Sequence, residues 1–141
     1  MGELGNILIV DDYAHHPTEI EATLKGARAG WKRRIIAVFQ PHLYSRTRDF
    51  HEEFGQVLLE SDVLVVTDIY PAREKPMPGI TGDLVCESAK RLGHKDAFYV
   101  PQIEDAAPFL RKIVRKDDMV ITLGAGDVHR VGEELLKILE G

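Results

Sequence analysis

Cysteine is almost missing from this sequence: its 141 residues contain one, Cys86. That excludes an internal disulfide and any zinc site built on paired cysteines, and Cys86 reads as a semi-buried filler on a helix. An excess of positive charge is missing too. With 18 Lys+Arg against 23 Asp+Glu the formal charge is -5, so no overall positive field draws the chain to nucleic acid or anionic lipid. A local basic pocket stays open. No apolar run approaches the roughly 20 residues that cross a bilayer, and the N-terminus lacks a basic segment followed by an apolar one. The expectation is a soluble, cytoplasmic protein without membrane insertion. Also absent are a GxxxxGK[ST] phosphate loop and a complete dinucleotide pattern; if ATP is used, something else must grip its phosphates. With 44% hydrophobic and 29% charged residues, the chain has the composition of a globular domain rather than a disordered one. No internal repeat or composition break divides it, so residues 1–141 read as one domain.

Short apolar, β-branched runs alternate with longer amphipathic stretches. Asn6 to Val10, Arg34 to Phe39, Val63 to Thr67, Ala97 to Val100 and Met119 to Leu123 read as strands. Several are apolar at every position, which suits a sheet covered on both faces. Helices are expected over Thr18 to Ala29 with Gly30 as a stop, from near Asp49 through Leu58, over Asp83 to Leu92, over Ile103 to Val114, and after Gly124-Ala125-Gly126-Asp127. Asp127 is placed to cap the last. The expected fold is α/β: a three-layer open sandwich, Rossmann-like, with a mostly parallel sheet of five to six strands and helices on both faces.

Ligands of such sheets bind outside the carboxyl ends of the strands, and the polar clusters fall there. Asp12 can accept hydrogen bonds from a sugar diol or orient hydrated magnesium, or it can cap the helix near Pro17. His15 and His16 suit an anion or carboxylate, with His16 also a candidate for holding the loop. His15, His42 and Asp12 lie on different loops whose spacing fixes no coordination geometry, so no protein-held metal is expected. Magnesium carried by a nucleotide needs few protein ligands. Gln40 to Arg46 reads as a loop, followed by Arg48 and the helix. A guanidinium there is a bidentate, permanently charged partner for a carboxylate or phosphate; the alternative is a surface ion pair with Asp49 or Glu52. Tyr13 and Tyr44 can stack on a ring or donate a hydroxyl. Asp68 to Gly82 is a long loop, whose Arg73 to Gly79 part can close over a substrate.

Asp11-Asp12-Tyr13-Ala14-His15-His16-Pro17-Thr18-Glu19 closely resembles the signature opening the C-terminal domain of the Mur ligases. Three further segments agree in order: Phe39-Gln40-Pro41-His42 with Tyr44-Ser45-Arg46-Thr47, then Ile69-Tyr70-Pro71-Ala72-Arg73-Glu74, then Gly124-Ala125-Gly126-Asp127. The likeness is strongest to members that join L-alanine to UDP-N-acetylmuramate. It implies an ATP-dependent, ADP-forming ligase with magnesium, acting through an acyl phosphate that the amine attacks. It also implies two partner domains, one for the UDP sugar and a central ATPase domain with the phosphate loop. Carried over by position, His15, His42 and Arg46 are the catalytic candidates. Tyr13, His15, His42, Arg46 and Arg73 are the candidates for binding substrate, with Arg46 on the alanine carboxylate. Asp12 and Tyr44 are the candidates on the nucleotide side. Leu43 stands where relatives commonly carry arginine, so a second guanidinium would come from Arg48 or Arg73.

Met1-Gly2 directly before Glu3 leaves no room here for the phosphate-loop domain, so the chain reads as a domain of a larger enzyme, inactive in isolation. Other readings are the equivalent domain of a ligase that recycles murein tripeptide, a non-catalytic α/β ligand-binding module, and a response-regulator-like domain using Asp11 and Asp12. The last leaves the neighbouring His, Arg and Tyr residues unexplained.

Overall fold

The computed structural model describes residues 6–140; Met1-Gly2-Glu3 lies outside them. Five strands and five helices alternate along the chain: β1 (Leu8–Asp12), α1 (Pro17–Gly30), β2 (Ile35–Phe39), α2 (Tyr44–Val57), β3 (Val63–Val66), α3 (Asp83–Arg91), β4 (Ala97–Tyr99), α4 (Ile103–Ile113), β5 (Met119–Leu123) and α5 (His129–Glu140). A 3-10 turn, Leu58–Glu60, extends α2. The strands form one sheet in the order β1-β5-β2-β3-β4, with every pairing parallel. This is the three-layer α/β architecture expected, with five strands.

The layers follow from strand alternation. Ile35, Ala37, Phe39, Leu64, Val66, Met119, Ile121 and Leu123 face one core together with Ile20 and Leu24 of α1, Phe54 of α2 and Val85 and Cys86 of α3. Ile36, Val38, Val63, Val65 and Val120 face the other, with Ala106 and Leu110 of α4 and Val131 and Leu135 of α5. The unbroken apolar runs of β2, β3 and β5 are thus accounted for, because each strand is buried on both sides. Cys86 is completely buried. Among the described residues no helix is long and apolar enough to cross a membrane.

The register brings the strand ends to one level. Asp12 pairs with Leu123, Leu123 with Phe39, Phe39 with Val66, and Val66 with Tyr99, so the polar segments that follow β1, β5, β2 and β3 leave along one edge. The chain leaves β1 toward the face of α1 and leaves β5 toward the face of α5. Adjacent parallel strands whose connections part to opposite faces open a crevice at their carboxyl ends.

One local expectation changes, and the start of α1 near Pro17 holds. The helix expected near Asp49 starts at Tyr44, so Arg46 lies in its first turn rather than in a loop. One local and one distant bond support that earlier start: Thr47 Oγ1 donates to the Leu43 carbonyl at 2.8 Å, and the carboxylate of Glu74, 29 residues on, receives Ser45 N–H at 3.1 Å. At α1 the residue before the first turn is His16, and Pro17 opens the helix, where a missing N–H costs nothing. Glu19 Oε1 accepts the N–H groups of His15 and His16, each at 3.1 Å.

Candidate functional site

Asp12, half-buried at the end of β1, shapes the loop that follows. Its Oδ1 accepts Ala14 N–H at 2.8 Å and its Oδ2 accepts the Thr23 hydroxyl at 3.0 Å, tying residues 13–16 to α1. One carboxylate therefore sets the position of His15, whose Nδ1 meets the Tyr13 carbonyl at 2.9 Å. With Nδ1–H as donor, Nε2 of neutral His15 is an acceptor. Tyr13 itself is 76% exposed, at the rim.

His42 enters from the next loop. Leu43 N–H donates to the Tyr70 carbonyl at 2.9 Å, Tyr70 N–H to the Pro41 carbonyl at 2.8 Å, and His42 and Tyr70 form an isolated parallel bridge. The rings of His42 and Tyr70 stack at 5.9 Å between centroids, and those of His15 and His42 meet edge to face at 5.8 Å. Arg46 Nη1 lies 3.4 Å from His42 Nδ1. Because the guanidinium only donates, His42 Nδ1 is the acceptor and the neutral ring carries its proton on Nε2. Burial, the Arg46 charge and then His15 hold the His42 imidazole below the usual histidine range, while Glu74 opposes them.

The structure thus gathers His15, His42 and Arg46, with Tyr70 as the ring support that the sequence did not single out. The backbone bridge between residues 42 and 70 crosses two loops, and no spacing announces it. Arg46 forms no ion pair with a carboxylate among the described residues. Arg48 does pair: its Nε lies 2.9 Å from Asp49 Oδ1, the surface alternative weighed from the sequence. Arg73 and His16 are exposed, and Tyr44 is half-buried in the first turn of α2.

Beside this cluster a cleft of about 350 Å³ opens between the ends of β1 and β5, lined by Asp11, Asp12, Tyr13, Thr122, Gly124, Gly126, Val128 and His129. Tyr44 does not line it. Asp11 presents its carboxylate there, with Oδ1 accepting the Thr122 hydroxyl at 2.6 Å, and α5 approaches closely because residue 132 is glycine: a Cβ there would lie 2.9 Å from that oxygen. Asp127 turns its carboxylate to Gln40 Nε2 at 2.8 Å, while its carbonyl accepts Arg130 N–H at the start of α5. Gln40 Oε1 is buried without a partner. Among the described residues no three His, Cys, Asp or Glu side chains converge as a metal site.

The family model described as Mur ligase, glutamate ligase domain, matches residues 1–126. The UDP-N-acetylmuramate--L-alanine ligase of Geotalea uraniireducens is 49% identical over 140 residues, covering 99% of this chain and 31% of the relative. That of Salinibacter ruber is also 49% identical, with coverages of 99% and 30%. The chain therefore spans about a third of the length of these relatives. Among solved structures, the UDP-N-acetylmuramate-alanine ligase of Thermotoga maritima superposes with a TM-score of 0.73 at 28% identity, covering 96% of this chain and 27% of that one. A murein peptide ligase of Psychrobacter arcticus superposes at 0.75 with 20% identity, covering 99% and 28%, a likeness of fold.

Proposed function

The chain belongs to the Mur ligase family through its glutamate ligase domain, and from that premise we propose that it is the acceptor-positioning domain of an ATP-dependent ligase joining L-alanine to UDP-N-acetylmuramate. The observation that carries this reading is a guanidinium without a carboxylate partner among the described residues, Arg46, beside two imidazoles at the carboxyl edge of a parallel sheet. A small amino acid brings a carboxylate and an amine. Arg46 anchors the carboxylate through its bidentate fork. Leu43, next to it, offers no second guanidinium, so the anchor is a single arginine unless Arg73 swings in.

His42, whose pKa burial and the Arg46 charge lower, offers its Nε2–H as a donor to the acceptor. His15 Nε2 is the acceptor that takes a proton from the incoming ammonium, which must lose its charge before its lone pair can attack. ATP supplies the phosphoryl group that activates the sugar carboxylate and leaves as ADP and phosphate. On this domain the cleft at Asp11, Asp12 and Thr122 suits the nucleotide's ribose hydroxyls, since its carboxylates accept hydrogen bonds. Magnesium would come with the phosphates and would neutralise their charge; on this domain Asp12, whose oxygens already hold Ala14 N–H and the Thr23 hydroxyl, would meet it through water. The cytoplasm, where such nucleotide substrates occur, is the expected setting.

A chemical-shift titration of the chain tests this reading. L-Alanine is expected to give saturable shifts at His15, His42 and Arg46, with weaker ones for D-alanine and glycine. L-Alaninamide, which lacks the carboxylate, is expected to give none. Equal shifts from L-alanine and its amide would overturn the assignment of Arg46.

A further inference from the structure

The first turn of α2 carries Arg46, yet that helix has no cap of its own. Leu43 precedes it with φ 72° and makes no side-chain cap bond, and no acidic residue stands in the first turn. A helix start leaves its first N–H groups unpaired and favours negative charge beside them. Both needs are met from 29 residues away: Glu74 Oε1 accepts Ser45 N–H at 3.1 Å and Oε2 accepts the Ser45 hydroxyl at 2.5 Å.

We propose that Glu74 is a positioning residue of the acceptor site: reaching over from the loop after β3, it fixes the first turn of α2, and so holds Arg46 and His42 in place before an acceptor arrives. The proposal rests on the reading of Arg46 as the carboxylate anchor. Three observations support it. The loop bearing Glu74 is shaped to deliver it, with Ala72 at φ 56° and Glu74 N–H closing a turn onto the Pro71 carbonyl at 2.9 Å. The same loop grips the other side of the site through the Tyr70 bonds to Pro41 and Leu43, so Ser45 and residues 41–43 are clamped by one segment. Finally, among the described residues the acid forms no ion pair with either arginine close to Ser45: Arg48 takes Asp49 and feels Glu74 only through its charge at longer range, and Arg46 lies 3.4 Å from His42. Because Ser45 occupies both oxygens of Glu74, the clamp adds rigidity without neutralising the anchor. The Ser45 hydroxyl and amide also hold Glu74 below the usual carboxylate range, so the clamp stays ionised near pH 7.

The test is NMR of the unliganded chain and of its Glu74→Ala and Glu74→Gln variants, with thermal melting run alongside. In E74A the Ser45 amide should exchange about tenfold faster and the Arg46 Nε–H should gain fast motion, while amides in β2 and β5 keep their protection. E74Q retains an acceptor for Ser45 N–H, so Arg46 should stay ordered; with the negative charge gone, the His42 pKa should fall below that of the parent. A role in stability alone would lower the melting temperature and leave the motion of Arg46 in E74A unchanged, which would overturn the proposal. Should E74A fail to fold, Ser45→Ala decides: it removes one of the two bonds and should loosen Arg46 partially, and an unaltered Arg46 would overturn the proposal. None of these readouts needs bound L-alanine, so failure of the clamp and failure of the acceptor assignment are separable.

Discussion

Arg46 Nη1 stands 3.4 Å from His42 Nδ1, which makes the arginine one of the causes of the lowered His42 pKa. Replacing it by methionine should therefore raise that pKa, read from the ring proton shifts; an unchanged or lower value would show that the two side chains do not interact. The effect on stability has a definite sign. The folded chain binds the His42 proton less tightly than the unfolded chain does, so the unfolded state holds more protons below about pH 6.5. Stability is fully present above that pH and declines as acid carries the solution down toward the depressed folded value. His94, lowered by burial first of all, adds in the same direction. Urea midpoints measured across this range check it.

Gly126 touches the site through Tyr70. A Cβ there would fall 2.6 Å from Gln40 Oε1 and 2.6 Å from Tyr70 Cγ, so Gly126→Ala must displace the ring that supports His42. The expected cost is about 1–3 kcal/mol, typical of overpacking, in urea denaturation, accompanied by a shift of the His42 ring signals. Full stability would show that this loop yields freely.

Arg34 and Asp118 form a two-bond pair at the opposite end of the sheet, at 3.1 and 2.9 Å. Asp118 is 2% exposed and also receives Arg115 N–H. Removing one partner strands the other, so Asp118→Ala should cost about 3 kcal/mol and leave the His15, His42 and Arg46 signals in place. Denaturation with those signals as reporters separates loss of stability from loss of the site.

Burial pushes the Cys86 thiol up to about 11, and a thiol without thiolate reacts slowly. Ellman's reagent should label no cysteine in the native chain and one after denaturation. Rapid native labelling would mean that α3 opens readily.

Much of this arrangement is legible in the residues. The strands of the sheet are apolar at nearly every position because helices cover both faces, and that pattern announces a parallel sheet. His15, His42 and Arg46 sit just past strand ends, where such sheets bind ligands. The start of α2 was not legible, because its cap comes from Glu74 and local sequence around Leu43 carries no signal. For the same reason the tie between Tyr70 and His42 is invisible before folding. Asp12 shows a different limit: a strand-end carboxylate reads equally as ligand or cap, and here its two oxygens fasten the loop that carries His15, while neighbouring Asp11 faces the cleft through Thr122.

The central claim is that Arg46 anchors the carboxylate of the incoming amino acid. Its most direct test is steady-state kinetics of the complete ligase carrying this domain, with Arg46→Met against the parent. A charged hydrogen-bonded pair of about 3 kcal/mol corresponds to roughly a 100-fold change. The account predicts a rise of about that size in KM for L-alanine, with KM for ATP and for UDP-N-acetylmuramate unchanged. An unchanged KM for L-alanine would contradict it.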